Sequence, residues 1–460
     1  MNEPRFTAGP DWIRHAVFWH VYPLGFTGAE PELGSGDEPV RHRLPMLVDW
    51  LEHAVELGAS GLLLGPVFAS ESHGYDTIDH FRVDPRLGDA EDLGALFSAA
   101  HDRGLRVVLD GVFNHVGRRF GRFAALVQHG PGAPDEPWFR VRWPDGAGPG
   151  DLPTYDDFEG HGQLIALNHA EPAVVDYVAE VMIHWLDRGA DGWRLDAAYA
   201  VPLTFWAEVS RRVRERHPDA YLLGEVIHGD YPAFVGEGGL DAVTQYELWQ
   251  AIRNAIAERN LYELAWTLGR HAEFLDRFVP QTFLGNHDVT RIASAVTAEH
   301  LPHALAVLCC TGGTPSVYAG DELGWEAVKE ERFGGDDAIR PAFPPAGELR
   351  LDGHQRAVLD LHRMLIGVRR RHPWLHTART TVPELDNTHA VLHSVPDPRT
   401  DPEADGVWLD LALNLGDERP NLAVPGSGQL LAGRGELIDP GTDRARVVLP
   451  AHGWAVLGPA

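Results

Sequence analysis

The segments that decide the fold are DGVFNH (residues 110–115), GWRLDA (192–197), LLGEV (222–226) and FLGNHD (283–288). Each one carries a carboxylate at the point where a short apolar run ends. Their order and spacing leave room for about one strand and one helix per unit. Four such segments in sequence therefore predict parallel strands whose carboxyl ends bring acidic side chains together at one edge.

The sequence around these segments predicts an α/β protein built on a (β/α)8 TIM barrel. Short β-rich runs alternate with amphipathic helical stretches, a pattern typical of parallel α/β folds. Helices are expected around 47–57, over 172–188 and 202–216, and around 355–371. The predicted strands are 17–25, 59–67, 105–112, 192–195, 221–226, 241–246, 279–284 and 316–319.

Two further regions depart from this alternation. The stretch after the third predicted strand is rich in Gly, Pro, Asp and aromatic residues, and a structureless loop of that length would be unusual. We therefore expect residues 118–169 to form a small inserted domain. Beyond the barrel (1–117 and 170–375), residues 376–460 alternate apolar and polar positions between turn residues, which predicts a C-terminal antiparallel β domain.

Composition excludes several classes of partner. The 460-residue chain has a formal net charge of -28, which disfavours nucleic acid and anionic membrane surfaces but not a neutral sugar. The N-terminal residues lack the apolar run of an export signal, so a cytoplasmic protein is expected. The two cysteines, Cys309 and Cys310, lie in an apolar helical run and are predicted to be buried rather than paired.

Three of the acids suit the cleavage of a glycosidic bond by two carboxyl groups, assisted by a third. Asp196 is the predicted nucleophile. Arg194, two residues earlier on the same strand, faces the same side and would keep that carboxylate charged. Glu225 follows an apolar strand, a setting that favours a protonated general acid. Asp288 is the predicted third acid, although an N-cap of the following helix is an alternative for this residue.

At these segments the chain resembles the α-amylase superfamily, glycoside hydrolase family 13. The resemblance runs from about residue 16 to 370 and includes VFWHVYPLGF, HGYDTIDHFRVDPRLG and GTPSVYAGDELG. It is strongest to the neopullulanase, cyclomaltodextrinase and maltogenic amylase group, through YDDFEGHGQLIALNHAEPAVVDY, DGWRLDAAY and GGDDAIRPAFP. Members of that group usually carry an N-terminal domain that helps them dimerise. The first predicted strand here begins near residue 17, so we expect this N-terminal domain to be absent and make no prediction of oligomeric state.

The resemblance also implies roles for residues outside the three acids. His115 and His287 correspond to paired histidines that hydrogen-bond the reacting sugar, and Tyr75 to the ring on which that sugar stacks. Asp110 would support the site through Arg194. Asp76 and Arg340 match residues that hold a terminal sugar in relatives acting on chain ends, with a simple surface ion pair as the alternative.

Departures from the family pattern bear on metals and on the leaving-group side. Many α-amylases hold calcium between barrel and inserted domain, where Asn114 and Asn168 would supply two ligands. A further calcium-linked histidine is replaced by Ala200, and a substrate-binding lysine by Tyr199. We therefore expect no metal and no cofactor. A tryptophan usual after the acid motif is replaced by Ile227.

The resemblance implies a retaining hydrolase that cuts α-1,4 links in short malto-oligosaccharides or cyclodextrins, with some transfer to sugar acceptors. A glucosyltransferase or isomerase of the same superfamily would use the same acids, and the sequence does not separate the two. A non-catalytic carbohydrate-binding or transporter-associated member is the alternative from another class. Such members tend to lose catalytic acids, whereas all three are present here.

Overall fold

Eight parallel strands form one sheet in this computed structural model. The structure describes residues 6, 9–34, 39–332, 334–404, 406–425, 428–442 and 444–459. The strands are β1 (Phe18–Val21), β2 (Gly61–Leu64), β3 (Arg106–Gly111), β4 (Gly192–Leu195), β5 (Tyr221–Gly224), β6 (Ala242–Val243), β7 (Gln281–Phe283) and β8 (Thr314–Tyr318). Their order is β6-β5-β4-β3-β2-β1-β8-β7, and a parallel bridge between Thr244 and Gln281 joins the two ends. The predicted (β/α)8 barrel is confirmed.

Helices cover the outside of the barrel, and their ends follow local sequence signals. Asp89 and Asp352 each form a capping box with the third residue of the helix that follows, which satisfies backbone N–H groups that would otherwise lack partners. Apolar faces of these helices pack on strands that are buried on both sides. The barrel helices longer than five residues are Leu44–Asp49, Leu51–Leu57, Ala90–His101, Pro172–Leu186, Leu203–Arg216, Tyr231–Gly236, Tyr246–Ala257, Leu261–Leu275, Leu301–Cys310 and Gly353–Arg371.

The segment between β3 and the helix Pro172–Leu186 has its own secondary structure. It contains one helix, Gly121–His129, and a three-stranded antiparallel sheet of His115–Val116, His161–Ala166 and Asp157–Phe158. A second antiparallel pair joins Val141–Arg142 to Thr154–Tyr155. Because the first strand of the sheet follows β3 directly, the inserted segment is attached beside the carboxyl ends of the barrel strands.

Antiparallel sheets form the C-terminal region, as predicted. One has five strands, in the order Arg379–Leu385, His389–Val395, Leu409–Asn414, Trp454–Gly458 and Gln429–Gly433. A smaller sheet holds Asn421–Ala423, Arg446–Val448 and Glu436–Ile438. Apolar side chains between the two sheets form a separate core cluster that includes Val391, Leu422 and Val447.

The strands were placed correctly along the chain but most are shorter than the sequence suggests. The largest correction concerns 241–246: only Ala242–Val243 is strand, and Tyr246 begins a helix because the Gln245 side chain caps the N–H of Leu248. Cys309 and Cys310 are free and buried, as predicted. The domain boundaries stay predictions. Within the described residues, no helix combines the length and apolarity needed to cross a bilayer.

Candidate active site

The carboxyl ends of the barrel strands surround a cavity of about 360 Å³. Asp196 follows β4, Glu225 follows β5 and Asp288 lies five residues beyond β7, so all three predicted acids reach the same cavity from different strands. Its lining residues are Tyr75, His115, Phe158, Glu159, Leu164, Asp196, Ala197, Tyr199, Glu225, Ile227, Tyr246, Asp288, Val289 and Lys329.

Arg194 is the centre of the acidic cluster. Its Nη1 donates to both carboxylate oxygens of Asp110, at 2.8 and 2.7 Å, and to Oδ1 of Asp196 at 3.1 Å. Its Nη2 lies 2.6 Å from Oε1 of Glu225. These groups are at most 8% exposed. Arg194 on β4 thus joins the acids of three neighbouring strands, and Asp110 supports it from β3 as expected.

The charge balance of this cluster differs from the expectation based on the Arg194–Asp196 pair alone. Burial raises the pKa of Asp196 well above the usual range of an aspartate. The positive charge of Arg194 opposes this shift, but Glu225 and Asp110 add to it because three carboxylates share one guanidinium. Burial raises the pKa of Asp110 as well. The cluster therefore retains a proton more readily than exposed carboxyl groups do.

Asp288 has the opposite electrostatic environment. Its Oδ2 lies 3.0 Å from Nε2 of His287, and its Oδ1 accepts a 2.7 Å hydrogen bond from Nη2 of Arg340. Burial favours the protonated form, but the charges of His287 and Arg340 outweigh it and hold the pKa of Asp288 well below the usual range. The N-cap alternative is not observed, since the next helix begins at Ile292 after a non-capping Arg291.

Of the predicted sugar-binding rings, Tyr75 and His115 line the same cavity, whereas His287 is fully buried against Tyr75. Tyr75 and His287 are stacked, with ring centroids 5.4 Å apart and planes 8° from parallel, and the Tyr75 hydroxyl contacts His287 Nε2. His115 stacks on Phe158 at 4.7 Å. Burial lowers the pKa of His115 to about 3, so the ring is neutral. The Asn114 amide lies 3.0 Å from His115 Nδ1, which leaves the ring proton on Nε2.

Asp76 and Arg340 both lie near His73, but each has hydrogen-bond partners of its own. Asp76 accepts hydrogen bonds from the Ser72 backbone N–H at 3.0 Å and the Ser72 hydroxyl at 2.5 Å, within its own loop. Arg340 instead pairs with Asp288 and, at 3.0 Å, with Asp336. The described residues show no ion pair between Asp76 and Arg340, and a shared contact of the two with a terminal sugar stays a prediction.

Sequence reasoning missed several residues at the cavity. The Tyr246 hydroxyl contacts Glu225, and Asn286 contacts Tyr246. The Tyr199 hydroxyl donates a 2.9 Å hydrogen bond to Glu159 of the inserted segment. For Asn286 a signal existed, its place within FLGNHD. Glu159 also lies in a quoted stretch, YDDFEGHGQLIALNHAEPAVVDY, but nothing in it predicts a contact with Tyr199, 40 positions away.

The family's calcium position retains two amide side chains, Asn114 and Asn168, but has Ala200 in place of the calcium-linked histidine. The Asn168 amide N–H donates to the Pro137 carbonyl, the Asn114 amide faces His115, and Ala200 has no ligand oxygen in its side chain. Among the described residues, the His, Asp and Glu groups close enough to share an ion lie elsewhere: His42 with Asp89 and Asp92, and Glu299 with His300 and His452.

Comparison with known proteins agrees with this geometry. Residues 43–380 match the family "Alpha amylase, catalytic domain". A cyclomaltodextrinase of a Bacillus species is 31% identical over 389 residues, which cover 80% of this chain and 68% of that protein. The cyclic alpha-maltosyl-(1→6)-maltose hydrolase from Arthrobacter globiformis superposes with a TM-score of 0.79 at 27% identity, covering 98% of this chain and 100% of the other.

A second solved structure, the debranching enzyme of Nostoc punctiforme, superposes with a TM-score of 0.81 at 26% identity over 99% of this chain and all of that one. A cyclomaltodextrinase of Geobacillus thermopakistaniensis, 32% identical, is matched over 57% of its length, so the chain spans only part of some relatives. The barrel, the acids at its strand ends and the match over most of the sequence lead to one conclusion: this chain belongs to the α-amylase family of glycoside hydrolases.

Proposed function

We propose that this protein is a retaining glycoside hydrolase that cleaves α-1,4-glucosidic bonds in short malto-oligosaccharides or cyclodextrins. The observation that carries the proposal is the convergence of Asp196, Glu225 and Asp288 on one cavity. Asp196 and Glu225 contact the same guanidinium, which brings their carboxyl groups close together, as a retaining mechanism requires.

In the first step, a carboxylate oxygen of Asp196 attacks the anomeric carbon while the bond from that carbon to the glycosidic oxygen breaks. Glu225 gives its proton to the departing oxygen, which leaves as a sugar hydroxyl. In the second step, Glu225 takes a proton from water, and the water oxygen displaces Asp196 from the anomeric carbon.

Other residues bind and distort the reacting sugar. Asp288 is ionised by its contacts with His287 and Arg340, so it can accept hydrogen bonds from sugar hydroxyls as positive charge develops on the ring. The neutral His115 can donate from Nε2. The Tyr75 ring provides a flat surface suited to the C–H face of a sugar.

The substrate class rests on cavity size and on relatives. A cavity of about 360 Å³ lies at the small end of ligand pockets and suits a few sugar rings rather than a long groove for starch. The similar proteins are named for cyclic or branched glucans. We therefore expect short and cyclic α-glucans to be preferred over starch.

Transfer to a second sugar is proposed as a side reaction. The cavity wall near Glu225 includes the apolar side chains of Phe158, Leu164 and Ile227. Such a wall binds the apolar faces of an acceptor sugar and displaces water, which favours sugar over water in the second step.

Product analysis tests the proposal. Purified protein is incubated with maltotriose, γ-cyclodextrin, pullulan and soluble starch, with Asp196→Asn as the matched control. Glucose or maltose from the short and cyclic substrates, with little from starch, would support it. Rearranged disaccharides or longer products would favour the transferase alternative. An unchanged mixture with every glucan would overturn the hydrolase proposal in favour of the binding role.

The stereochemistry is tested separately. ¹H NMR of the first product formed reads the configuration at the new anomeric carbon before it equilibrates. The α anomer is expected from the retaining mechanism. The β anomer would show that Asp196 acts as a base toward water rather than as the nucleophile.

A further inference from the structure

Tyr246 lies between two motifs that the sequence analysis treats as separate. It begins the helix Tyr246–Ala257, directly after β6. Its hydroxyl is 3.1 Å from Oε1 of Glu225 and 2.9 Å from the side-chain amide nitrogen of Asn286. The ring packs edge-on against Phe283 at 5.0 Å and Trp249 at 5.8 Å, so its direction is set by apolar neighbours.

The hydrogen bonds of this group can be assigned one by one. The Asp288 N–H donates to Oδ1 of Asn286 at 2.8 Å, which leaves the amide nitrogen of Asn286 facing Tyr246 as a donor. A phenol has a single proton, and because its oxygen accepts from Asn286, that proton is directed to Glu225. Burial and the charges of Glu225 and Asp288 raise the pKa of Tyr246, so it stays a phenol across the working pH range.

The two oxygens of Glu225 are consequently not equivalent. Oε1 faces two donors, Arg194 Nη2 at 2.6 Å and the Tyr246 hydroxyl. Oε2 accepts only the backbone N–H of Ala197, at 3.1 Å, among the described residues. Oε2 therefore has a free lone pair that can accept a proton, whereas two hydrogen-bond donors already point at Oε1.

We propose that Tyr246 is a positioning residue for the general acid/base of the reaction: its hydroxyl occupies Oε1, directs the transferable proton to Oε2, and favours the ionised form of Glu225 that activates water. The inference rests on the proposed function. Through Asn286 it also connects the orientation of Glu225 to the loop that carries Asp288, so that two of the three acids are held by one hydrogen-bonded chain.

Other charged and titratable groups also act on Glu225, and a test of Tyr246 must leave these groups unchanged. On β4 and its following turn they are Arg194, Asp196 and Tyr199, and on β3 Asp110. Replacement of Tyr246 by phenylalanine removes one hydroxyl and leaves the formal charge of every one of these groups in place.

The test is Tyr246→Phe, measured as the pH profile of kcat/KM on maltotriose. Loss of a hydrogen bond to the carboxylate disfavours its ionised form, so the alkaline limb should move to higher pH by on the order of one unit. A role in packing alone would lower kcat/KM by the same factor at every pH and leave the limb unmoved, which would overturn the inference.

Tyr221→Phe is the matched control. Tyr221 is fully buried at the start of β5, the strand that Glu225 follows, and its hydroxyl has no hydrogen-bond partner within the described part of the chain. Its removal should leave the limb in place. Asn286→Ala should move the limb in the same direction as Tyr246→Phe but by less, because the hydroxyl remains and only its orientation is released.

A second readout does not depend on turnover. ¹³C NMR of protein labelled at the glutamate carboxyl carbon follows the titration of Glu225, whose signal is identified by its loss in Glu225→Gln. The signal should titrate at higher pH in Tyr246→Phe than in the unmodified protein, and coincident curves would refute the inference. Absence of hydrolysis by the unmodified protein would overturn the proposed function alone, since the NMR titration still decides the role of Tyr246.

Discussion

The two walls of the active-site cavity are built in different ways. The strand-end wall consists of Arg194, Asp196, Glu225, His287 and Asp288, all from the carboxyl ends of barrel strands or the turns after them. The loop wall consists of Phe158, Glu159, Leu164, Tyr199 and Ile227. In the first, Arg194, Asp196, Glu225 and His287 are at most 8% exposed and only the Asp288 side chain is more open, at 31%, whereas Ile227 in the second is 39% exposed.

The difference lies in how many partners hold each side chain. Arg194 contacts three acids, and Asp288 contacts both His287 and Arg340. In the loop wall a single hydrogen bond, from Tyr199 to Glu159, joins the barrel to the inserted segment. We infer that the strand-end wall determines whether the bond breaks, and that the loop wall adjusts which sugar occupies the leaving-group side.

Removing the nucleophile from the strand-end wall should have the largest effect. Asp196→Asn cannot form the glycosyl intermediate, so kcat on maltotriose should fall by about four orders of magnitude or more, the size of loss typical of a missing nucleophile. Hydrolysis assays give the turnover, and circular dichroism checks the fold. Turnover within tenfold of the unmodified protein would rule out this assignment.

The same substitution should not reduce stability. Because the pKa of Asp196 is raised on folding, the folded state binds its proton more tightly than the unfolded state does. Ionisation of Asp196 therefore destabilises the folded state. This destabilisation grows as the pH rises from about 4, the pKa of an exposed aspartate, toward the raised pKa of the folded state. At pH 7 the Tm of Asp196→Asn should thus equal or exceed that of the unmodified protein, and the gain should shrink at pH 4. A gain that grows on acidification would contradict this.

The loop behind the strand-end wall should matter for stability more than for chain-length preference. Asp76→Ala leaves the Ser72 N–H and hydroxyl without their acceptor, at a cost of about 1–3 kcal/mol in the free energy of unfolding. Because both carboxylate oxygens of Asp76 already accept hydrogen bonds from Ser72, kcat/KM for maltotriose and for longer glucans should fall by similar factors. Urea unfolding and paired kinetics measure both quantities, with Asp76→Asn as the control that retains one acceptor. A selective loss of kcat/KM with short substrates would instead indicate that Asp76 contacts the terminal sugar.

The strand-end wall was also the part that the sequence could predict. An acid that follows a barrel strand lies near the carboxyl end of that strand, so Asp196, Glu225 and Asp288 could be assigned to the site from their own segments. Tyr246 was placed in a strand, because the capping of Leu248 by Gln245 is decided by side-chain geometry that periodicity does not show. The partners of Asp76 and Arg340 could not be predicted either, because the sequence does not show which of the nearby polar groups each side chain bonds to. Contacts between distant loops, such as Tyr199 with Glu159, are visible only after the chain has folded.

Breaking the one hydrogen bond of the loop wall should have a smaller effect. Tyr199→Phe removes a contact of about 0.5–1.5 kcal/mol, so kcat/KM should change by less than about tenfold while the ratio of transfer to hydrolysis products shifts. The double variant with Glu159→Gln should be no worse than Tyr199→Phe alone, because both remove the same bond. Fully additive losses would show that the two side chains act independently.

The smallest expected effect is that of a chelator. The resemblance implies a calcium site at Asn114 and Asn168, but Ala200, in place of the calcium-linked histidine, supplies no side-chain ligand. Contacts that join the barrel to the inserted segment include the hydrogen bond from the Arg119 backbone N–H to Glu71 and the Tyr199–Glu159 bond. Incubation with EDTA should therefore leave both Tm and kcat/KM unchanged. A fall in Tm that added calcium reverses would show that a metal, rather than these contacts, holds the loop wall against the barrel.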